Sequence, residues 1–130
     1  MLRLGTTRAE RMASLPGDEA VARPRCRYTQ AATIRAPAGE AWKWLVQVGY
    51  RRAGWYNVDA VNRLAAPDYF IDGRGSSVRI HQELQDLRVG DTIFLVPVLG
   101  MQVTRLDPAR LLVLVGDPAH PESENNTSWT

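Results

Sequence analysis

Thr92-Ile93-Phe94-Leu95-Val96, then Met101-Gln102-Val103-Thr104-Arg105-Leu106, then Leu111-Leu112-Val113-Leu114-Val115 are the stretches that decide the fold of this 130-residue chain. Each run is short, rich in β-branched and large apolar residues, and bounded by Gly, Pro or Asp, which is the punctuation of strands. The spacings are those of an antiparallel meander. Asp107-Pro108-Ala109-Arg110 reads as the turn between the last two runs, with Pro108 set for the second turn position. Ser128-Trp129-Thr130 looks like the opening of a further strand.

Upstream the periodicity changes. Residues 25–35, with Tyr28, Gln30, Ala32 and Ile34 alternating against Thr29, Ala31 and Thr33, suit a strand. Pro37 fits the first turn of a helix, where its missing N–H is no loss, and Glu40 sits near the positive end of the helix dipole. That helix is expected to run to Val48 and stop at Gly49. Trp42, Leu45, Val46 and Gly49 form one stripe along it, while Ala41, Trp44, Leu45 and Val48 form another. Trp42 and Trp44 point about 160° apart in 3.6-residue geometry, so one faces the sheet and the other meets something else. A short helix is expected over residues 58–64, followed by a polar loop with Pro67, Asp72, Gly73, Gly75 and Ser76. Residues 1–24 read as an N-terminal arm with a short helix around 7–14, and residues 25–130 as one domain. Asp59 and Asp91 are expected to cap a helix and a turn.

Composition narrows the classes. With 45% hydrophobic residues the chain has enough apolar surface for one core. The longest apolar run, 93–101, is broken by Pro97 and Gly100 and falls short of the roughly 20 residues of a membrane-spanning helix, so no membrane insertion is expected. No secretory pattern opens the chain, which makes cytoplasmic residence the default. Cys26 is the lone cysteine, so no internal disulfide and no cysteine-based metal site are expected. Sixteen basic residues, of which Lys43 is the single lysine, stand against fourteen acidic ones. Arg8, Arg11, Arg35, Arg63, Arg88 and Arg110 are scattered among acids, unlike the concentrated charge of a nucleic-acid binder, so no nucleic-acid partner is expected.

A set of fragments in order resembles a known superfamily. Gly5-Thr6-Thr7 with Glu10, Leu15-Pro16-Gly17-Asp18 and Ile34-Arg35-Ala36-Pro37 come first. They lead to residues 42–50, Trp-Lys-Trp-Leu-Val-Gln-Val-Gly-Tyr. Arg52-Ala53-Gly54-Trp55-Tyr56, Asp59, Glu83-Leu84-Gln85-Asp86-Leu87 and Val89-Gly90-Asp91 then follow. Together they look like landmarks of a bacterial branch of the SRPBCC superfamily, whose members include START-like and polyketide cyclase-like proteins. The resemblance implies an α+β helix-grip (START/Bet v 1-like) fold: a curved antiparallel sheet with two short N-terminal helices and an internal cavity for lipids, polyketides or other apolar molecules. The sequence departs from that pattern where the branch continues with further strands and a long C-terminal helix, so a truncated domain is expected.

Candidate site residues are few. His120, between Ala119 and Pro121, reads as a solvated loop residue. His81, in His81-Gln82-Glu83, reads as structural; the alternative makes it a general base at a pocket mouth, but no nucleophile stands in obvious register with it. No catalytic set, metal-ligand spacing or cofactor motif is legible, and Gly73-Arg74-Gly75 lacks the Lys-Ser/Thr of a phosphate loop. The aromatic residues Trp42, Trp44, Trp55, Tyr56, Tyr69, Phe70 and Phe94 read first as core. The sharper reading places Trp55 and Tyr56 at one end of a cavity. It assigns Trp44, Trp55, Tyr56, Arg79, His81, Phe94 and Gln102 to ligand binding. The expected function is therefore binding of a hydrophobic small molecule without catalysis. The rivals are a cyclase/dehydratase-like enzyme and an interaction module that self-associates through an open sheet edge.

Overall fold

A computed structural model describes residues 5–56, 59–116 and 128–130. The chain is α+β. Three short helices, α1 (Arg8–Met12), α2 (Ala38–Leu45) and α3 (Asp59–Ala65), precede a sheet of four antiparallel strands in sequence order: β1 (Thr92–Val96), β2 (Leu99–Asp107), β3 (Leu111–Gly116) and β4 (Ser128–Trp129). Among the described residues no helix is long and apolar enough to cross a membrane.

The meander follows its sequence closely. Ile93 pairs with Met101, Val103 with Leu114, and Leu106 with Leu112, so opposing apolar residues share a face. Ile93, Met101, Val103, Leu112 and Leu114 form the main core, covered by Trp42, Leu45, Trp55 and Leu87. Each such fully buried side chain contributes about 1.5–3 kcal/mol of transfer free energy. Register shifts between Phe94 and Val96 and between Val103 and Arg105 bend the strands locally.

The other face of β3 is covered too. Gly17 has φ +100°, and a Cβ there would lie 2.6 Å from Val113 Cγ1, so the arm's backbone rests directly on the strand. Thr130 Oγ1 donates to the Pro16 carbonyl (2.6 Å) and Arg105 pairs with Glu19 (3.3 Å), fastening the arm to the sheet. In α1, Thr7 and Glu10 cap each other's backbone N–H groups, a complete capping box.

Two expectations fail. Residues 25–35 form no strand: Tyr28, Gln30, Ala32 and Ile34 on one face are exposed, and on the other Thr29 and Ala31 are only half-buried and Thr33 is exposed, so the segment lacks the packing that gives a half-buried strand its stability. The helix after Pro37 ends at Leu45, earlier than its apolar pattern suggests. Val46, Gln47, Val48 and Gly49 continue buried, but Gly49 turns the chain at φ +129°. The Arg52 guanidinium then reaches back to the carbonyls of Val48 (2.9 Å) and Val46 (2.7 Å), supplying donors where the helix has run out of them. Trp42 packs on the sheet core and Trp44 faces outward, as their angular separation requires.

A second, smaller cluster of Ala66, Tyr69 and Phe70 sits beside the turn at residues 49–54. It joins the sheet through the Tyr69 hydroxyl, which donates to the Leu95 carbonyl, and through Tyr50 N–H to Phe94 O (2.7 Å). Burial pushes the Tyr69 phenol up to about 12.

Candidate functional site

The site grows from Gln47, a fully buried amide just past the end of α2. Its Nε2 donates to the Tyr56 hydroxyl (2.6 Å) and the Arg79 carbonyl (3.0 Å), and its Oε1 accepts from the His81 backbone N–H (3.1 Å). One side chain thereby ties the 54–56 turn to the 72–81 loop. Ser77 N–H donates to Ala53 O (2.8 Å), and Ser76 donates from both N and Oγ to the Asp59 carboxylate (2.9 and 2.7 Å), so the loop is held at both sides. Asp59 thus secures the loop from the first turn of α3, while Asp91 caps its turn by accepting from Arg88 N–H (2.8 Å).

His81 is 1% exposed and Ser77 4% exposed, yet both are surrounded by polar partners. Ser77 Oγ lies 2.8 Å from His81 Nε2 and 2.5 Å from Asp72 Oδ2, and His81 Nε2 lies 3.2 Å from the same carboxylate oxygen. On the opposite side of the ring, Nδ1 lies 3.1 Å from Glu83 Oε1. Arg79 reaches over the outside to pair with Asp72 (3.0 Å). The imidazole is therefore flanked by a carboxylate on each nitrogen and by a hydroxyl on one.

Charge is fixed by these contacts. The Ser77 hydroxyl, then the Arg79 guanidinium and His81, hold the Asp72 carboxyl down at about 2. The backbone N–H of Glu83 itself, with His81, lowers the Glu83 carboxyl as well. Burial raises the Tyr56 phenol, so at neutral pH two anions flank the imidazole and a neutral phenol meets the Gln47 amide.

Above the polar set stands an aromatic edge. Trp44 and Tyr56 meet edge to face at 6.0 Å and 75°, with 36% and 41% of their surfaces exposed. Tyr56 adopts φ +51°, a left-handed backbone that costs a non-glycine residue about 1–3 kcal/mol and persists only where its surroundings enforce it. Here Gln47, Ser76 Oγ accepting from Tyr56 N–H (3.2 Å) and Trp44 supply that enforcement.

Four of the seven residues singled out from sequence, Trp44, Tyr56, Arg79 and His81, therefore come together around Gln47. The other three lie apart. Trp55 packs between the two apolar clusters and against Trp129, its indole N–H buried with no acceptor among the described residues. Phe94 lies on β1 opposite Gly100, and Gln102 on β2 between Thr92 and Val115. His120 lies outside the described residues. Gln47, Asp72 and Ser77 were not singled out. Ser77 stands four residues before His81 in a glycine-bearing loop, a spacing with no helical or strand register to mark it. Clefts of 340 and 490 Å³ lie elsewhere, the first beside Gly17, Arg105 and Val113, the second along residues 28–32.

No family model matches the chain, and no curated protein or solved structure matches it either.

Proposed function

We propose that the protein binds a hydrophobic small molecule, lipid- or polyketide-like in character, and that the Trp44–Tyr56 edge over the Gln47 cluster is where the molecule docks. The observation that carries this reading is the single buried amide that draws Tyr56, Arg79 and His81 together beside Trp44. Small-molecule sites combine apolar and aromatic area with a few fixed polar groups, and this corner of the molecule has both. The helix-grip arrangement belongs to the same proposal: an antiparallel sheet with α2 packed on its core face is compatible with it.

The test is titration of the full chain with 1-anilinonaphthalene-8-sulfonate, read by probe fluorescence, beside native mass spectrometry for co-purifying apolar compounds. Trp44→Ala should weaken probe binding about tenfold and lower the melting temperature only slightly, because the ring is partly exposed and is one of three groups that hold the Tyr56 turn. Undiminished binding by Trp44→Ala sinks the assignment of this edge.

The second reading, a cyclase/dehydratase-like enzyme, is favoured by one observation: His81 has a carboxylate within hydrogen-bond reach of each ring nitrogen, a set able to hold and move a proton.

A further inference from the structure

We propose that Ser77 is a nucleophile activated by His81, and that the loop carrying it is an acyl-transfer site for small esters of apolar carboxylic acids. The activity goes beyond binding: the chemistry stands on the contacts among Ser77, His81, Glu83 and Asp72, and only the apolar character of the acyl group rests on the docking edge proposed above. A serine hydroxyl is a weak nucleophile until a base stands ready to take its proton and a third group orients that base. Ser77 Oγ is 2.8 Å from His81 Nε2, and His81 Nδ1 is 3.1 Å from Glu83 Oε1, so nucleophile, base and orienting carboxylate lie in one line of contacts. With Nδ1–H donating to the ionised Glu83, Nε2 is left as an acceptor; the single Ser77 hydroxyl proton is donated to Asp72 Oδ2 (2.5 Å) and passes to Nε2 (2.8 Å) when the hydroxyl turns about its Cβ–Oγ bond. The imidazole is held by contacts on both ring nitrogens, to Glu83 at Nδ1 and to Ser77 and Asp72 at Nε2, while Gln47 Oε1 fixes the backbone that carries it.

Burial selects the substrate. Ser77 and His81 are themselves covered, and the groups against them include the exposed Glu83 and the partly exposed Asp72, which in turn pairs with the exposed Arg79. Exposed ion pairs such as Arg79–Asp72 hold little energy against water, so the cover parts for a small molecule and excludes a polypeptide. The nearby Trp44–Tyr56 edge favours an apolar or aromatic acyl group.

In the reaction Ser77 Oγ attacks the ester carbonyl carbon as its proton passes to His81 Nε2. The C–O bond to the leaving alcohol then breaks, and the imidazolium returns that proton to the departing oxygen. A water molecule, deprotonated by the same Nε2, cleaves the acyl-serine and releases the acid, restoring the hydroxyl. No oxidant, metal or further reactant is needed.

The experiment treats the full chain with diisopropyl fluorophosphate, in which Ser77 Oγ bonds to phosphorus while the P–F bond breaks and fluoride leaves. Intact mass and peptide mapping should place one adduct on Ser77, and Ser77→Ala should carry none. Mapping the unaltered chain locates the adduct by itself, so the result does not depend on that variant folding. The exposed Glu83 gives a second variant: Glu83→Gln should slow labelling roughly tenfold and move its pH profile, as loss of an orienting carboxylate does and loss of a mere surface charge does not. Hydrolysis of p-nitrophenyl butyrate should fall in step with labelling. A folded chain that acquires no adduct, or acquires it on another residue, overturns the proposal. An unchanged rate and pH profile in Glu83→Gln removes Glu83 from it. Because labelling is read without the fluorescent probe, its failure leaves the docking edge standing, and the reverse holds.

Discussion

The molecule has two buried regions built on different principles. Around the sheet, Ile93, Met101, Val103, Leu112 and Leu114 are buried against one another and against Trp42, Leu45, Trp55 and Leu87. Between residues 46 and 81 the interior mixes Tyr69 and Phe70 with Gln47, Asn62, Ser77 and His81, the buried polar residues among those described. The first region is held by area removed from water, which is non-directional and tolerant of rearrangement. The second is held by partners that must each be met at a fixed distance, because a buried polar group left unpaired costs the full desolvation of that group. Chemistry belongs in the second kind of interior, since only there are donors, acceptors and charges held in place before a ligand arrives.

The contrast breaks or survives on substitution. Leu114→Ala, in a side chain that is fully buried between β2 and the covering Trp42 and Leu45 side, should cost about 2–5 kcal/mol by lost transfer energy and the cavity left behind. Urea unfolding should show a lower midpoint with an unchanged slope. A cost below about 1 kcal/mol would mean that the sheet face collapses around the gap and is not a close-packed core.

How much of this was legible follows the same division. The meander was readable because alternating apolar runs and a Pro-bearing turn act over a few residues, and the observed strands extend the expected ones by at most two residues at either end. Residues 25–35 carry the same alternation with neither face buried, and local pattern cannot report whether a segment finds packing. The helix end was misjudged because Val46 and Val48 read as another apolar turn, while the group that satisfies the carbonyls there, Arg52, lies beyond the glycine reversal. Of the site, the aromatic and titratable residues were visible by type. Their assembly was not, since it depends on Gln47, an ordinary amide whose three partners come from positions 56, 79 and 81.

Gln47 sharpens the comparison. Gln47→Ala leaves the His81 N–H, the Arg79 carbonyl and the Tyr56 hydroxyl without their shared partner, and it should cost about 1–3 kcal/mol. Gln47→Leu keeps the volume and removes the same hydrogen bonds, so it separates packing from polar satisfaction. If the region is organised by hydrogen bonds, Leu should be no better than Ala and the Tyr56 turn should loosen in both, visible as faster amide exchange. A Leu variant as stable as the unaltered chain would make this interior another apolar core.

The smallest expected effect is in acid, and its sign is fixed by Asp72. Its carboxyl is depressed from the ordinary 3.8 to about 2, first by the Ser77 hydroxyl and then by Arg79, so the folded chain holds the ionised form more strongly than the unfolded chain does. The stabilisation is complete above the unfolded value and disappears as pH falls from about 4 through about 2, where the folded carboxyl finally protonates. Melting temperatures across that window should therefore fall for the unaltered chain and fall less for Asp72→Asn, which has no proton to take up there. The sheet core offers no comparable group, so Leu114→Ala should shift every melting temperature down while preserving the acid slope. If Asp72→Asn reproduces the full slope, the acid sensitivity comes from other carboxylates, and the tight contact between Ser77 and Asp72 is not what keeps the carboxyl ionised.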